Sequence, residues 1–365
     1  MVARALAAAD IIRNVNANVA PVFTLRHLAH EADADYGLLR AVVRRKIDDP
    51  YRVFRISKRQ SYPGEKRFRV IAVPEPHLLR TQRWITCNIL AAVRPHSASV
   101  AFSPNDSIRA AAELHCSAKW LIKLDVRNFF ESISEINVYR VFRHLGYQPL
   151  IAFEMTRLCT RVGSPTSFRL AERWSSDLGR RPVIAAYQAA LMGHLPQGAP
   201  SSPMLANLAV REFDAKVTEI AATHGLTFNR YADDLIFSTP SRDFARKRCS
   251  TVIDEVYQAM WGAGLSPNIT KTVVSPPGAR KIVLGLNVEA ATPRLPREFK
   301  DRLRQHLHYL LRPDVGPIHH ARAKGFVSTL GLKHHLQGLV SFARQIEPEY
   351  GRSCAESLAV VRWPI

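Results

Sequence analysis

Three carboxylates sit where apolar β segments stop. Trp120-Leu-Ile-Lys-Leu-Asp125 is a short, nearly continuous apolar run that ends on an acid, the pattern of a buried strand. Asp233 and Asp234 occupy the turn between two further β segments, Leu226–Arg230 and Leu235–Thr239. An ionised acid cannot be sealed unpaired into an apolar core. Placed at strand ends and turns beside an apolar core, such acids can converge at a sheet edge without being buried unpaired. Taken singly, each acid has an ordinary reading, since Asp after a strand is commonly a cap and an Asp pair in a hairpin is commonly turn chemistry. Their combination is what constrains the fold.

Around them the chain divides by pattern. Residues 1 to 48 are rich in Ala, Leu and Arg, with Leu25, Leu28, Leu38, Leu39 and Val42 near helical spacing. From Tyr51 two alternating basic segments, Tyr51–Ser57 and Lys66–Val73, flank the turn signal Tyr62-Pro-Gly, as in a β-hairpin. Helical spacing returns over 78–90, 138–145 and 150–160, and a basic irregular stretch fills 163–182. One long helix is expected from Ser202 to Thr223, ended by Gly225, and another over 242–261. Lys281–Val288 reads as a strand, and the remainder from Pro296 as basic helices. No repeat or low-complexity linker divides the chain, so one continuous body is expected.

The charge narrows the partners. Lys plus Arg number 51 against 31 Asp plus Glu, a formal +20, and the cations recur along the whole chain. A polyanion such as nucleic acid is the partner that such a surplus fits. Five scattered cysteines without a CxxC pair fit neither a zinc site nor a disulfide framework, and suit a reducing compartment. No stretch has the length of a membrane span or the form of a secretory leader, so a cytoplasmic protein without membrane partners is expected. The histidine pairs 27/30, 306/308, 319/320 and 334/335 lack cysteine or carboxylate companions at ligand spacing and read as surface or RNA-contacting groups.

Acids on rigid strand ends suit hard divalent cations, which take oxygen ligands. Two such ions can activate a hydroxyl and neutralise a departing pyrophosphate. The residues around the acids carry the point further. Leu124-Asp125-Val-Arg-Asn-Phe129-Phe130, Leu195-Pro-Gln-Gly-Ala-Pro-Ser-Ser-Pro-Met-Leu-Ala-Asn207, Tyr231-Ala-Asp-Asp234 and Leu265-Ser-Pro-Asn268-Ile-Thr-Lys271 resemble, in order, the motifs of reverse transcriptases. The resemblance runs from about Tyr51 to the C-terminus. It implies an α+β right-hand polymerase, with fingers at 49–118, a palm with an antiparallel sheet at 119–290, interleaved fingers at about 145–195, and a helical thumb at 291–365 after the N-terminal helical segment. It implies RNA-directed DNA polymerase activity by a two-metal mechanism. Asp125, Asp233 and Asp234 would be catalytic and bind two Mg²⁺, or Mn²⁺ in substitution, with help from the carbonyl of Val126. Phe130 matches the ring that excludes a 2′-hydroxyl, while Phe129 is expected in the core. Gln197, Gly198, Lys271, Arg69 and Lys66 would line the deoxynucleoside triphosphate.

The wording LPQGAPSSPMLANL with YADDLIFS looks most like bacterial retron-type enzymes. That resemblance implies a structured noncoding RNA as template and primer, a branched RNA–DNA product (msDNA), a role in antiphage defence with a separate effector protein, and RNA removal by a host RNase H. His115 ends the segment matching one retron signature, although Ala111 stands where that signature has Asn; Leu284 departs likewise from Val-Thr-Gly. His115, Arg297, Lys300 and Arg304 would contact RNA. Two other readings remain open: an abortive-infection type of defence reverse transcriptase, and a non-catalytic RNA-binding scaffold.

Overall fold

The computed structural model describes residues 2–57, 68–104, 106–162 and 192–364. Lys66 and the basic stretch at 163–182 lie outside the described residues. The fold class is the expected α+β. Helices Val2–Val15, Leu25–Glu31 and Tyr36–Val43 open the chain and bury Ile12, Leu25, Leu28, Leu39 and Val42. A two-stranded antiparallel ribbon follows, β1 (Tyr51–Ser57) and β2 (Phe68–Pro74), paired from Tyr51 opposite Pro74 to Ser57 opposite Phe68.

The central sheet is antiparallel, built from β3 (Trp120–Asp125), β4 (Thr227–Tyr231), β5 (Asp234–Thr239) and β6 (Val273–Ser275) in the order β4-β5-β3-β6. Side chains alternate across a strand, and this divides the sheet between two cores. Ile122, Leu124, Leu235 and Phe237 join the main core with the N-terminal and central helices. Leu121 and Ile236, on the opposite face, join a second core built from the C-terminal helices. Asp125 and Asp234 fall on that opposite face by the same alternation.

Two expectations are corrected. The single helix over 202–223 is two, Ser202–Ala209 and Arg211–Thr223, separated at Val210 with φ −103° and ψ 16°. No Gly or Pro marks the break, and apolar positions continue on one face through it, so periodicity alone joins the halves. The strand expected at 281–288 is a tight hairpin, β7 (Ile282–Val283) and β8 (Leu286–Asn287). Its two turn residues, Leu284 and Gly285, both have positive φ, 48° and 83°, as the favoured two-residue hairpin turn requires. Leu in the first of those positions hides the turn from the sequence.

The C-terminal unit has four helices, Arg297–Leu311, Gly316–Ala323, Thr329–Ile346 and Pro348–Ala359. His306 and His320 are buried between them, ring nitrogens 2.8 Å apart, which corrects their expected surface position. Burial, then the neighbouring His320 and Lys324, hold His306 down to about 4, and burial lowers His320 as well, so the pair is neutral near pH 7. Among the described residues no helix is long and apolar enough to cross a membrane.

The last two helices meet where Gly351 lets backbones touch: a Cβ there would lie 2.4 Å from the Arg344 nitrogen. Gly351→Ala is expected to cost about 2 kcal/mol or more, because backbone rather than a pliant side chain must move. A thermal midpoint equal to wild type would contradict this packing.

Candidate active site

Register brings the acids together. Asp125 is the partner of Asp234 across β3 and β5, and Tyr231 is the partner of Asp234 across β4 and β5. The turn between them is Ala232-Asp233, with Ala232 at φ 55°. The Asp233 carbonyl accepts from the Val126 N–H at 2.9 Å, tying the turn to the end of β3. Asp233 and Asp234 are half-buried and Asp125 is buried.

This crowding shows in the acidities. Burial, then the charge of Asp125, pushes Asp233 above the usual carboxylate range. Burial, then the charge of Asp233, pushes Asp234 up to about 6, opposed by Lys123. Arg69, on the exposed end of β2, also lowers the cost of ionising Asp233. Desolvated like charges are the condition a bound cation relieves.

Asp125 is held differently. Its carboxylate accepts from the Lys271 ammonium at 2.7 Å and from the Asn268 amide at 2.7 Å, while its carbonyl accepts the Asn268 N–H at 2.8 Å. Lys271 thus neutralises an acid rather than standing free for a phosphate. Among the described residues, no three His, Cys, Asp or Glu side chains form a ready metal cage. The donor chemistry nonetheless fits a hard divalent ion: the groups facing the site are carboxylate oxygens, and two of them carry raised pKa values. Asp125, the third carboxylate, is occupied by Lys271 and Asn268.

Behind the turn lies an unexpected support. Arg230 is wholly buried and forked onto Asp214, Nε to Oδ1 at 2.6 Å and Nη2 to Oδ2 at 2.7 Å. Its Nη1 donates to the Ala232 carbonyl at 2.9 Å and to Asn207 Oδ1 at 3.1 Å. Such bidentate, charge-assisted bonds are strong and geometrically selective. Residue-type patterns treat Arg230 as another cation. Asn229 and Arg230 are the two buried positions of β4, and no sequence signal marks them as such.

Phe129 is core, as expected, with the Arg230 guanidinium 5.3 Å from its ring centre. Phe130 is half-buried beside it, ring centres 5.6 Å apart. Gly198 has φ 111° and a Cβ there would stand 2.7 Å from Ile71 Cγ2, so its freedom of approach serves β2 of the ribbon. The Gln197 carbonyl accepts the Ala72 N–H at 2.8 Å.

Residues 56–288 match the family described as Reverse transcriptase (RNA-dependent DNA polymerase). The chain belongs to the reverse transcriptase family. It is similar to the retron Ec86 reverse transcriptase of Escherichia coli, 29% identical over 84% of each chain. It is also similar to the retron Mx162 reverse transcriptase of Myxococcus xanthus, 28% identical over 80% of this chain and 57% of that one. A telomerase structure from Candida albicans superposes with a TM-score of 0.45 at 13% identity, over 86% of this chain and 56% of that one. In this reverse transcriptase the right-hand polymerase fold places its acids on the central sheet.

One expected RNA contact is corrected. His115 is fully buried, 2.7 Å from Ser238 Oγ, and burial holds it down to about 4, so it packs behind the sheet as a neutral ring. Lys300 is half-buried, ion-paired with Glu347 at 2.6 Å, and lies over the Tyr350 ring. Arg297 and Arg304 are exposed, each beside Asp301.

The raised Asp234 pKa gives a pH test. Because the folded value exceeds the ordinary 3.8, ionisation opposes folding, and that penalty grows as pH rises from about 4 through about 6. In metal-free buffer Asp234→Asn is expected to be more stable than wild type near pH 8, with the difference vanishing near pH 4. A constant difference across that range would contradict desolvation and like-charge crowding as the cause of the shift.

Proposed function

We propose that this reverse transcriptase is of the retron type and copies a structured noncoding RNA into DNA by a two-metal mechanism. The juxtaposition of Asp125 with Asp234 beside Asp233 carries the reading. Those three acids, with the Val126 carbonyl, would hold two Mg²⁺, for which Mn²⁺ could substitute. Bound there, the ions would supply activation of the attacking hydroxyl and charge neutralisation at the departing pyrophosphate. The chain's own groups do the rest. Arg69, whose charge reaches Asp233, meets the triphosphate, joined by Lys66, which stands three residues earlier in the sequence. Gln197 and Gly198, fastened to the ribbon, line the nucleotide, and Lys271 passes from Asp125 to the phosphates as the site fills. Phe130 packs against the sugar and selects deoxyribose.

The likeness to retron enzymes supports the finer reading. The RNA would serve as both template and primer, leaving msDNA in which RNA and DNA are branched. Antiphage defence with a separate effector protein and trimming by a host RNase H complete the proposal, with a cytoplasmic setting. Exposed Arg297 and Arg304 suit backbone contacts to an RNA duplex.

Primed RNA template, Mg²⁺ and dNTPs test the chemistry directly. Asp233→Asn is expected to lower incorporation about a thousandfold or more, the loss of several kcal/mol of charge stabilisation. Activity equal to wild type would sink the assignment. Nucleic acid copurified with the protein tests the retron reading: a 2′–5′ RNA–DNA junction supports it, and unbranched DNA points to another defence reverse transcriptase.

A further inference from the structure

One aromatic residue at the site belongs to none of the sequence motifs. Phe102 lies in the loop after Ala98, 41% exposed although large and apolar. Its ring centre is 6.2 Å from Phe130 and 6.3 Å from Tyr231, inside the range at which tilted rings attract. Phe130 therefore has a ring on two sides, Phe129 in the core and Phe102 toward solvent.

The loop that carries Phe102 is fixed by the groups that fix the catalytic turn. The Arg230 N–H donates to the Ala98 carbonyl at 2.8 Å, and the Val100 N–H donates to the Arg230 carbonyl at 3.0 Å. The Asn207 amide donates to the Ala101 carbonyl at 2.7 Å. Phe102 itself sits at φ 71°, a conformation that a bulky residue adopts only where its surroundings over-determine it. At an ordinary negative φ the ring would leave the Phe130–Tyr231 corner. The exposed ring thus has a strained backbone and three buried anchors holding it against the proposed sugar-selecting side chain.

The geometry points to Phe102 as a positioning residue for sugar selection: it stops Phe130 from yielding outward when a 2′-hydroxyl presses on it. This rests on the proposed role of Phe130. A gate ring excludes an extra oxygen only if it cannot tilt away, and Phe130 is only half-buried. Phe102 closes the free side.

The test measures kcat/KM for a dNTP and the matching rNTP on one primed RNA template. The variants are Phe102→Ala, Phe102→Tyr, Phe130→Ala and the double Ala variant. Phe130→Ala is expected to lower the dNTP-to-rNTP ratio about a hundredfold; Phe102→Ala is expected to lower it about tenfold, mainly by raising kcat/KM for the rNTP. The double variant should match Phe130→Ala, since a support adds nothing once the ring it supports is gone. Phe102→Tyr, which restores a ring, should restore the ratio. If Phe130→Ala lowers the ratio and Phe102→Ala does not, or lowers both substrates equally, the inference is overturned while the gate stands. If Phe130→Ala leaves the ratio unchanged, the gate fails and the inference with it.

Discussion

The ion pair between Arg230 and Asp214 is the interaction on which the site depends. Both side chains are wholly removed from solvent. Burying a pair of charges costs several kcal/mol per ion, and breaking such a pair by removing one partner costs about 3–5 kcal/mol. Here the pair is satisfied on every side: two bonds to Asp214, one to Asn207, one to the Ala232 carbonyl, and an aromatic face at Phe129. The arrangement converts an expensive burial into position. A turn that holds Asp233 beside Ala232 at positive φ is thus tied from behind by Arg230 as well as by the Val126 N–H.

That support also explains the bend at Val210. Asn207 lies before it and Asp214 after it, and both reach the one guanidinium. The two helices therefore bring the middle motif and the catalytic turn into a single framework. Asn207 extends the framework further, to the loop that bears Phe102.

Much of this could be read from residue patterns, and the limits follow from what patterns encode. The central sheet was legible because apolar runs ending in acids leave few arrangements, and Asp125, Asp233 and Asp234 converge as that constraint requires. The ribbon strands at 51–57 and 68–74 and the C-terminal helices were legible from period. What failed was anything depending on who meets whom. Lys300 and His115 look available in sequence, but one is bound to Glu347 and the other is enclosed behind β5. The hairpin at 282–287 turns on Leu284, a residue that announces no turn. Arg230 carries no mark of its burial in the sequence, because charge type does not reveal it. Nor does sequence show that Lys271 rests on the Asp125 carboxylate, 2.7 Å away.

The bond from Ala72 to Gln197, with Gly198 pressed on Ile71, has a mechanical meaning. β2 and the Gln197–Gly198 segment are therefore coupled without slack, so a shift of β2 carries Gln197 with it. With Gln197 and Gly198 in the proposed nucleotide-lining role, the seat of the incoming base and the position of β2 would be felt as one strain.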